Sequence, residues 1–145
     1  MPHPLFTIGY EGKTVDEFLG QLSAARVELV IDVRAVAASR RPGFSKTALA
    51  GALSERGIDY LHLRPLGTPK TGRDAARKGR IGEMRGIYEG QLATSEAQLA
   101  MEQALSAAQD RRSALLCFEA DAGHCHRAMV AERLVQREPF EVRDL

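Results

Sequence analysis

Residues 115–130 read LLCFEADAGHCHRAMV, and the reading of this stretch decides the fold. With Ala114 before it, the opening Leu115-Leu116-Cys117-Phe118 is a short apolar run, the pattern of a strand buried in the middle of a parallel sheet. Glu119 to His124 is polar and breaks the run. At Cys125-His126-Arg127 a helical pattern begins, with Val130, Ala131 and Leu134 recurring at helical spacing. A buried strand, a loop and a helix start that together carry a thiol, an imidazole and a guanidinium make this stretch a candidate site.

Working outward, the same alternation recurs. Upstream, Ser95 to about Gln109 carries a Ser95…Gln98 cap and an apolar face of Leu99, Met101, Ala104, Leu105 and Ala108, which predicts a long amphipathic helix. Before it, Thr68 to Gly90 is interrupted by Pro69 and five glycines and is rich in Lys and Arg. It reads as a basic excursion, residues 68–90, with a helical turn or two. Asp59 to Leu63 is a strand ended by Pro65-Leu66-Gly67. Ser45 is placed to cap a helix through Leu49, Ala52 and Leu53, stopped by Gly57. Glu28 to Val33 is another buried strand, with Asp32 and Arg34 where it emerges. At the start, Leu5 to Gly9 is a first strand, and Thr14…Glu17 fits a capping box ahead of an apolar face of Val15, Phe18, Leu19, Leu22 and Ala25. Phe140 to Val142 reads as a last edge strand.

Strands alternating with helices imply an α/β fold: one Rossmann-like, three-layer domain over residues 1–145, with a mostly parallel sheet of four to five strands and helices on both faces. Ligands of such sheets bind beyond the carboxyl ends of the strands. That edge should gather Tyr10-Glu11-Gly12, Asp32-Val33-Arg34, Arg64 to Gly67, and Glu119 to Arg127.

At 145 residues and a formal charge of +1, global charge advertises neither a nucleic-acid nor a membrane partner, so a basic site must come from local clustering. The opening Met-Pro-His-Pro-Leu-Phe lacks the pattern of a signal peptide, and no apolar run is long enough to span a bilayer. Cys117 and Cys125 are the two cysteines and form no C-x-x-C pair. They suggest free thiols in a reducing cytoplasm. No compact Cys/His spacing of a zinc site is present, and no metal or cofactor is expected. Oligomeric state is left open.

Taken in order, Thr7-Ile8-Gly9-Tyr10, Asp32-Val33-Arg34 with Ser39-Arg40 and Phe44, Tyr60 with Leu66-Gly67, and Leu116-Cys117-x-Glu119 with Cys125-His126-Arg127 resemble the prokaryotic family known as domain of unknown function 488. The resemblance runs over roughly residues 5 to 135. It implies an α/β domain with these motifs clustered and supplies no reaction.

Three functions fit these residues. The first is an enzyme acting on a phosphorylated, nucleotide-like or nucleic-acid ligand. Arg34, Arg40 and Arg127, with Tyr10, Ser39 and Phe44, would bind it; Asp32 and Glu119 would act as acid and base; Cys125 at a helix N-terminus is the candidate nucleophile, and His126 beside it is also expected to be catalytic. In this reading Lys70, Arg73, Arg77 and Lys78 fold over the rim as a basic flap. Against it stands the plainer reading, in which Asp32 pairs with an arginine to fix the loops. The second function is sulfur transfer. Asp32-Val33-Arg34 and a cysteine ending a later strand look in part like a rhodanese, although Glu119 and Asp121 would oppose a persulfide anion. The third is a non-catalytic nucleotide or nucleic-acid binding module.

Overall fold

The apolar residues of each strand alternate between two faces, and two separate cores follow from that alternation. The computed structural model describes residues 3–120 and 126–145. Its strands are β1 (Pro4–Gly9), β2 (Leu29–Asp32), β3 (Asp59–His62), β4 (Ser113–Cys117) and β5 (Glu141–Asp144). Its helices are α1 (Val15–Ala24), α2 (Lys46–Glu55), α3 (Lys70–Arg77), α4 (Ile81–Leu92), α5 (Ser95–Asp110) and α6 (Arg127–Arg137). Leu5, Leu29, Ile31, Leu115 and Cys117 point to one side, where they pack with residues of α3, α4, α5 and α6. Phe6, Ile8, Val30, Ala114 and Leu116 point to the other, against Phe18 and Leu22 of α1 and Leu49 and Leu53 of α2. The fold is therefore a three-layer, Rossmann-like α/β sandwich.

The sheet has five strands in the order β3-β2-β4-β1-β5, and every pairing is parallel. β4, the strand of the decisive stretch, is central, and all five of its residues are buried. Gly9 lies opposite Cys117, while Asp32 lies opposite both Leu116 and His62, so four strands end along one line. Chain direction reverses at this centre. β1 and β2 lead leftward through α1 and α2 on one face, whereas β4 leads rightward through α6 on the other. Loops that diverge to opposite faces leave a crevice between them, the usual ligand position in such sheets. Among the described residues no helix is long and apolar enough to cross a membrane.

Local signals hold at several places and fail at three. Thr14 and Glu17 form a complete capping box, the Thr14 hydroxyl accepting from the Glu17 amide while the Thr14 amide donates to Glu17. Gly57 follows α2 at φ 72°, the left-handed position expected just past a helix end. Ser45 sits at the N-cap of α2 but does not cap it, because its hydroxyl accepts from the Ser39 amide at 2.9 Å and donates to the Ser39 carbonyl. Thr94, one residue ahead of Ser95, caps α5 by accepting from the Ala97 amide at 3.2 Å. The excursion expected to be largely irregular folds into α3 and most of α4. Its glycines sit inside those helices or, at Gly79 with φ 77°, between them, while Ala75, Met84, Tyr88 and Leu92 supply the buried face.

Two glycines make the rim possible. A Cβ on Gly9 would overlap the Glu119 carbonyl and lie 2.8 Å from Arg127 Nη1; one on Gly67 would run into the Ala35 backbone. Gly51, inside α2, faces open space. Two alanine replacements should accordingly move stability in opposite directions. By urea denaturation, Gly9→Ala is expected to lose about 3 kcal/mol, since backbone cannot yield as a side-chain tip does. Gly51→Ala should gain about 1 kcal/mol, the ordinary helix-propensity difference.

Candidate functional site

The rim is organised around a carboxylate that cannot stand alone. Asp32 ends β2 with no exposed surface, and a buried charge persists only when it is paired and hydrogen-bonded. Arg34 supplies that partner from two residues away. Its Nε donates to Oδ1 at 2.9 Å, its Nη2 to Oδ2 at 2.8 Å, and its amide to Oδ1 at 3.0 Å. The Tyr60 hydroxyl of β3 donates to Oδ2 at 2.5 Å. Arg34 reaches further, its Nη1 donating to the Phe44 carbonyl at 2.7 Å and to the Tyr10 hydroxyl at 3.3 Å. His62 Nε2 donates to the Arg34 carbonyl at 2.8 Å. Burial pulls the guanidinium pKa down, but the hydrogen bonds and charge of Asp32 outweigh it and leave it raised. The Tyr60 hydroxyl is also pushed up, first by burial and then by the carboxylate beside it.

The exit of β4 is held from the other side. Arg127, the first residue of α6, is fully buried. It donates to the carbonyls of Glu119 and Ala120 and, at 3.2 Å, to Cys117 Sγ. The Glu11 amide donates to the Phe118 carbonyl at 2.8 Å, and Glu11 Oε1 accepts from the Ala120 amide at 3.0 Å. His126 is buried beneath Tyr88, and its Nε2 donates to the Val33 carbonyl at 2.6 Å, tying α6 to the β2 exit. Burial pushes the His126 pKa down to about 4, against a smaller upward pull from the Val33 bond, so the ring is neutral near pH 7.

Between these two assemblies lies a cavity of about 410 Å³. Tyr10, Arg34 and Val36 close one side, Cys117, Phe118, Glu119 and His126 another, and Thr68, Arg73, Arg77 and Met84 complete it. Of the residues expected at a site, Tyr10, Arg34, Glu119 and His126 thus share one cavity, and Arg73 and Arg77 of the basic segment line it, while Lys70 and Lys78 do not. The others lie elsewhere. Asp32 is sealed behind Arg34. Phe44 is buried in a stack, 4.5 Å from Tyr10 and 5.3 Å from Phe18 between ring centroids, so it supports Tyr10 from within the core. Ser39 is engaged with Ser45, Arg40 is exposed and off the cavity wall, and Arg127 is beneath the β4 exit loop. Cys125 lies outside the described residues. Cys117 is disulfide-bonded, which corrects the expectation of two free thiols. Its Sγ lies 3.8 Å from Glu119 Oε2.

The cavity combines cations with apolar surface. Arg34 is neutralised by Asp32 and Arg77 donates to Asp74 at 3.0 Å. Arg73 donates to the Thr68 carbonyl at 3.0 Å and, among the described residues, pairs with no carboxylate. Phe118 exposes 41% of its surface on the wall. Thr68, Met84 and Phe118 were not anticipated as lining residues. Phe118 carried a signal, being the large apolar residue just after the central strand; Met84 became legible only once α4 was known to be a helix.

Two measurements test this arrangement. Asp32→Asn leaves Arg34 buried without its counter-charge and should cost about 3–5 kcal/mol in urea denaturation. His126 has a folded pKa below its unfolded value of 6.5. Between those values the unfolded chain binds more protons, so stability is full above pH 6.5 and falls as pH drops toward 4. The difference across that window is on the order of 3 kcal/mol. Stability measured from pH 7 to pH 4.5 should show this decline, and His126→Gln should remove it.

No curated protein and no solved structure matches the chain. A family model does match, over residues 14–134; it takes in Asp32-Val33-Arg34, Leu66-Gly67, Leu116-Cys117-x-Glu119 and Cys125-His126-Arg127, and starts after the Thr7 to Tyr10 segment. With most of its length so matched, the chain belongs to the family described as Domain of unknown function DUF488.

Proposed function

We propose that this protein is an enzyme acting on a phosphorylated, nucleotide-like ligand in the cavity at the carboxyl rim of the sheet. The observation that carries the reading is that Arg73, with Arg77 beside it on α3, shares a cavity with a wall of Phe118, Met84 and Val36. Guanidinium groups suit phosphate oxygens, and an exposed aromatic face suits a base. Arg73, unpaired with any described carboxylate, is the phosphate anchor. Phe118 offers the stacking surface. Glu119 is the one carboxylate among the described lining residues, and it takes the acid–base role.

Asp32 and His126 take positioning roles here. Asp32 holds Arg34 and accepts from Tyr60, and neither of its oxygens faces the cavity wall without a donor. His126 holds the Val33 carbonyl in its neutral form. Sulfur transfer has less support. Cys117 lines the cavity, but its sulfur is already bonded in a disulfide and faces the Glu119 carboxylate, which would repel a persulfide anion. A binding module would use the same cavity without needing Glu119.

Calorimetric titration with the four ribonucleoside 5′-monophosphates and their unphosphorylated nucleosides tests the reading. A nucleotide should bind at least tenfold more tightly than its nucleoside, and Arg73→Ala should remove that difference. Equal affinity for both would sink phosphate recognition. Glu119→Gln should leave nucleotide affinity within about threefold while stopping turnover of a phosphorylated substrate; unchanged turnover would remove Glu119 from the acid–base role, and no turnover by the unaltered protein would leave only the binding function.

A further inference from the structure

The cavity does not end at Arg73. A second hollow, of about 430 Å³, adjoins it and shares Ala35, Val36, Thr68 and Arg73 as a common wall. Beyond that wall it is lined by Arg64, Lys70, Pro65, Pro69, Gln91 and Glu96. The Gln91 amide donates to the Pro65 carbonyl at 2.9 Å and so braces the floor. Arg64 and Lys70 are exposed and pair with no carboxylate among the described residues. Other arginines also pair with no described carboxylate, Arg26 and Arg56 among them, but none of those lines either hollow. The uncompensated charge thus runs from Arg73 into the second hollow, opposed there by Glu96.

From this we infer that the ligand is a single strand of nucleic acid at least two nucleotides long. The inference rests on the reading of the first cavity as a nucleotide site. One nucleotide occupies that cavity with its base against Phe118. The linking phosphate meets Arg73 on the shared wall, and the next nucleotide lies in the second hollow with its phosphate on Lys70 and Arg64. Size argues for a strand over a nucleoside diphosphate: the second hollow matches the first in volume, where a terminal phosphate would fill a small part of it. Val36, Pro65 and Pro69 give it apolar surface for a sugar or base as well as charge for a phosphate. Backbone charge plus apolar platforms is the general pattern of single-strand recognition.

The test compares 5′-AMP, ADP and single-stranded adenine, cytosine, guanine and thymine oligonucleotides of two to six residues, by competition against a fluorescently labelled strand. A dinucleotide should bind at least tenfold more tightly than a mononucleotide. Arg64→Ala/Lys70→Ala should erase that gain and flatten the salt dependence of strand binding by about 1.4 in the slope of log K against log salt, the value for two lost single-strand phosphate contacts. Both residues are exposed, and an unchanged thermal melt of the double variant verifies its fold. Equal affinity for mononucleotide and dinucleotide overturns the inference and leaves the first cavity's function standing. A gain obtained in full with ADP also overturns it, by showing a diphosphate site. Binding of no nucleotide and no strand removes both readings together.

Discussion

The rim depends on the burial of one ion pair, Asp32 with Arg34. A carboxylate with no exposed surface at the end of β2 must be matched by a donor set, and the set it recruits spans the sheet. Tyr60 donates to it from β3, Arg34 carries the link to Tyr10 after β1 and to the Phe44 carbonyl ahead of α2, and His62 clamps the Arg34 carbonyl. Each of these residues would place its own loop loosely. Joined to one desolvated charge pair they have one arrangement, because any displacement leaves a buried charge or donor unsatisfied. A pair of this kind adds little net stability compared with an apolar replacement; its larger effect is on which arrangement the loops adopt.

The β4 exit is built by the same logic with a different partner. Arg127 is buried and donates to backbone carbonyls and a sulfur, so it holds the loop that it lies beneath. Gly9 lets that loop lie directly on the end of β1, and Gly67 lets the turn at Arg64–Leu66 lie on Ala35 after β2. The topology brings four strand ends to one line, and these two missing side chains allow the loops above them to close into a cavity wall.

Much of this was legible in the sequence. Apolar runs at strand length, alternating with helical patterns, determine the layers and the parallel sheet, and the rule for strand ends then gathers Tyr10, Arg34, Glu119 and His126 before any coordinate is known. What sequence could not do was separate residues facing the cavity from those bracing it. Asp32, Arg34 and Arg127 are alike in polarity, yet Arg34 reaches the cavity wall while Asp32 and Arg127 are sealed beneath it. Burial of that kind is set by which loop lies on top, a tertiary fact without a local pattern. The glycines of residues 68–90 misled for a related reason. Glycine weakens a helix by about 1 kcal/mol, and packing of Met84, Tyr88 and Leu92 into the core offsets that cost. Once α3 is a helix, Arg73 and Arg77 fall one turn apart on its cavity-facing side.

Charge at the rim is therefore divided by depth. The deepest cations, Arg34 and Arg127, are surrounded by protein acceptors and fix geometry. The outer cations, Arg73, Lys70 and Arg64, rest on carbonyls or face solvent. An incoming anion competes poorly for a guanidinium held in a buried bidentate pair, since binding there would break bonds worth more than those it forms. It meets no such competition at Arg73, where a charge-assisted bond to phosphate adds to a weaker bond to a carbonyl. The arginine that stands nearest the strand ends is thus the wrong place to look for ligand affinity. In the proposed function, recognition is displaced outward, to α3 and the turn before it, while the strand-end residues that dominate the sequence pattern hold the floor beneath it.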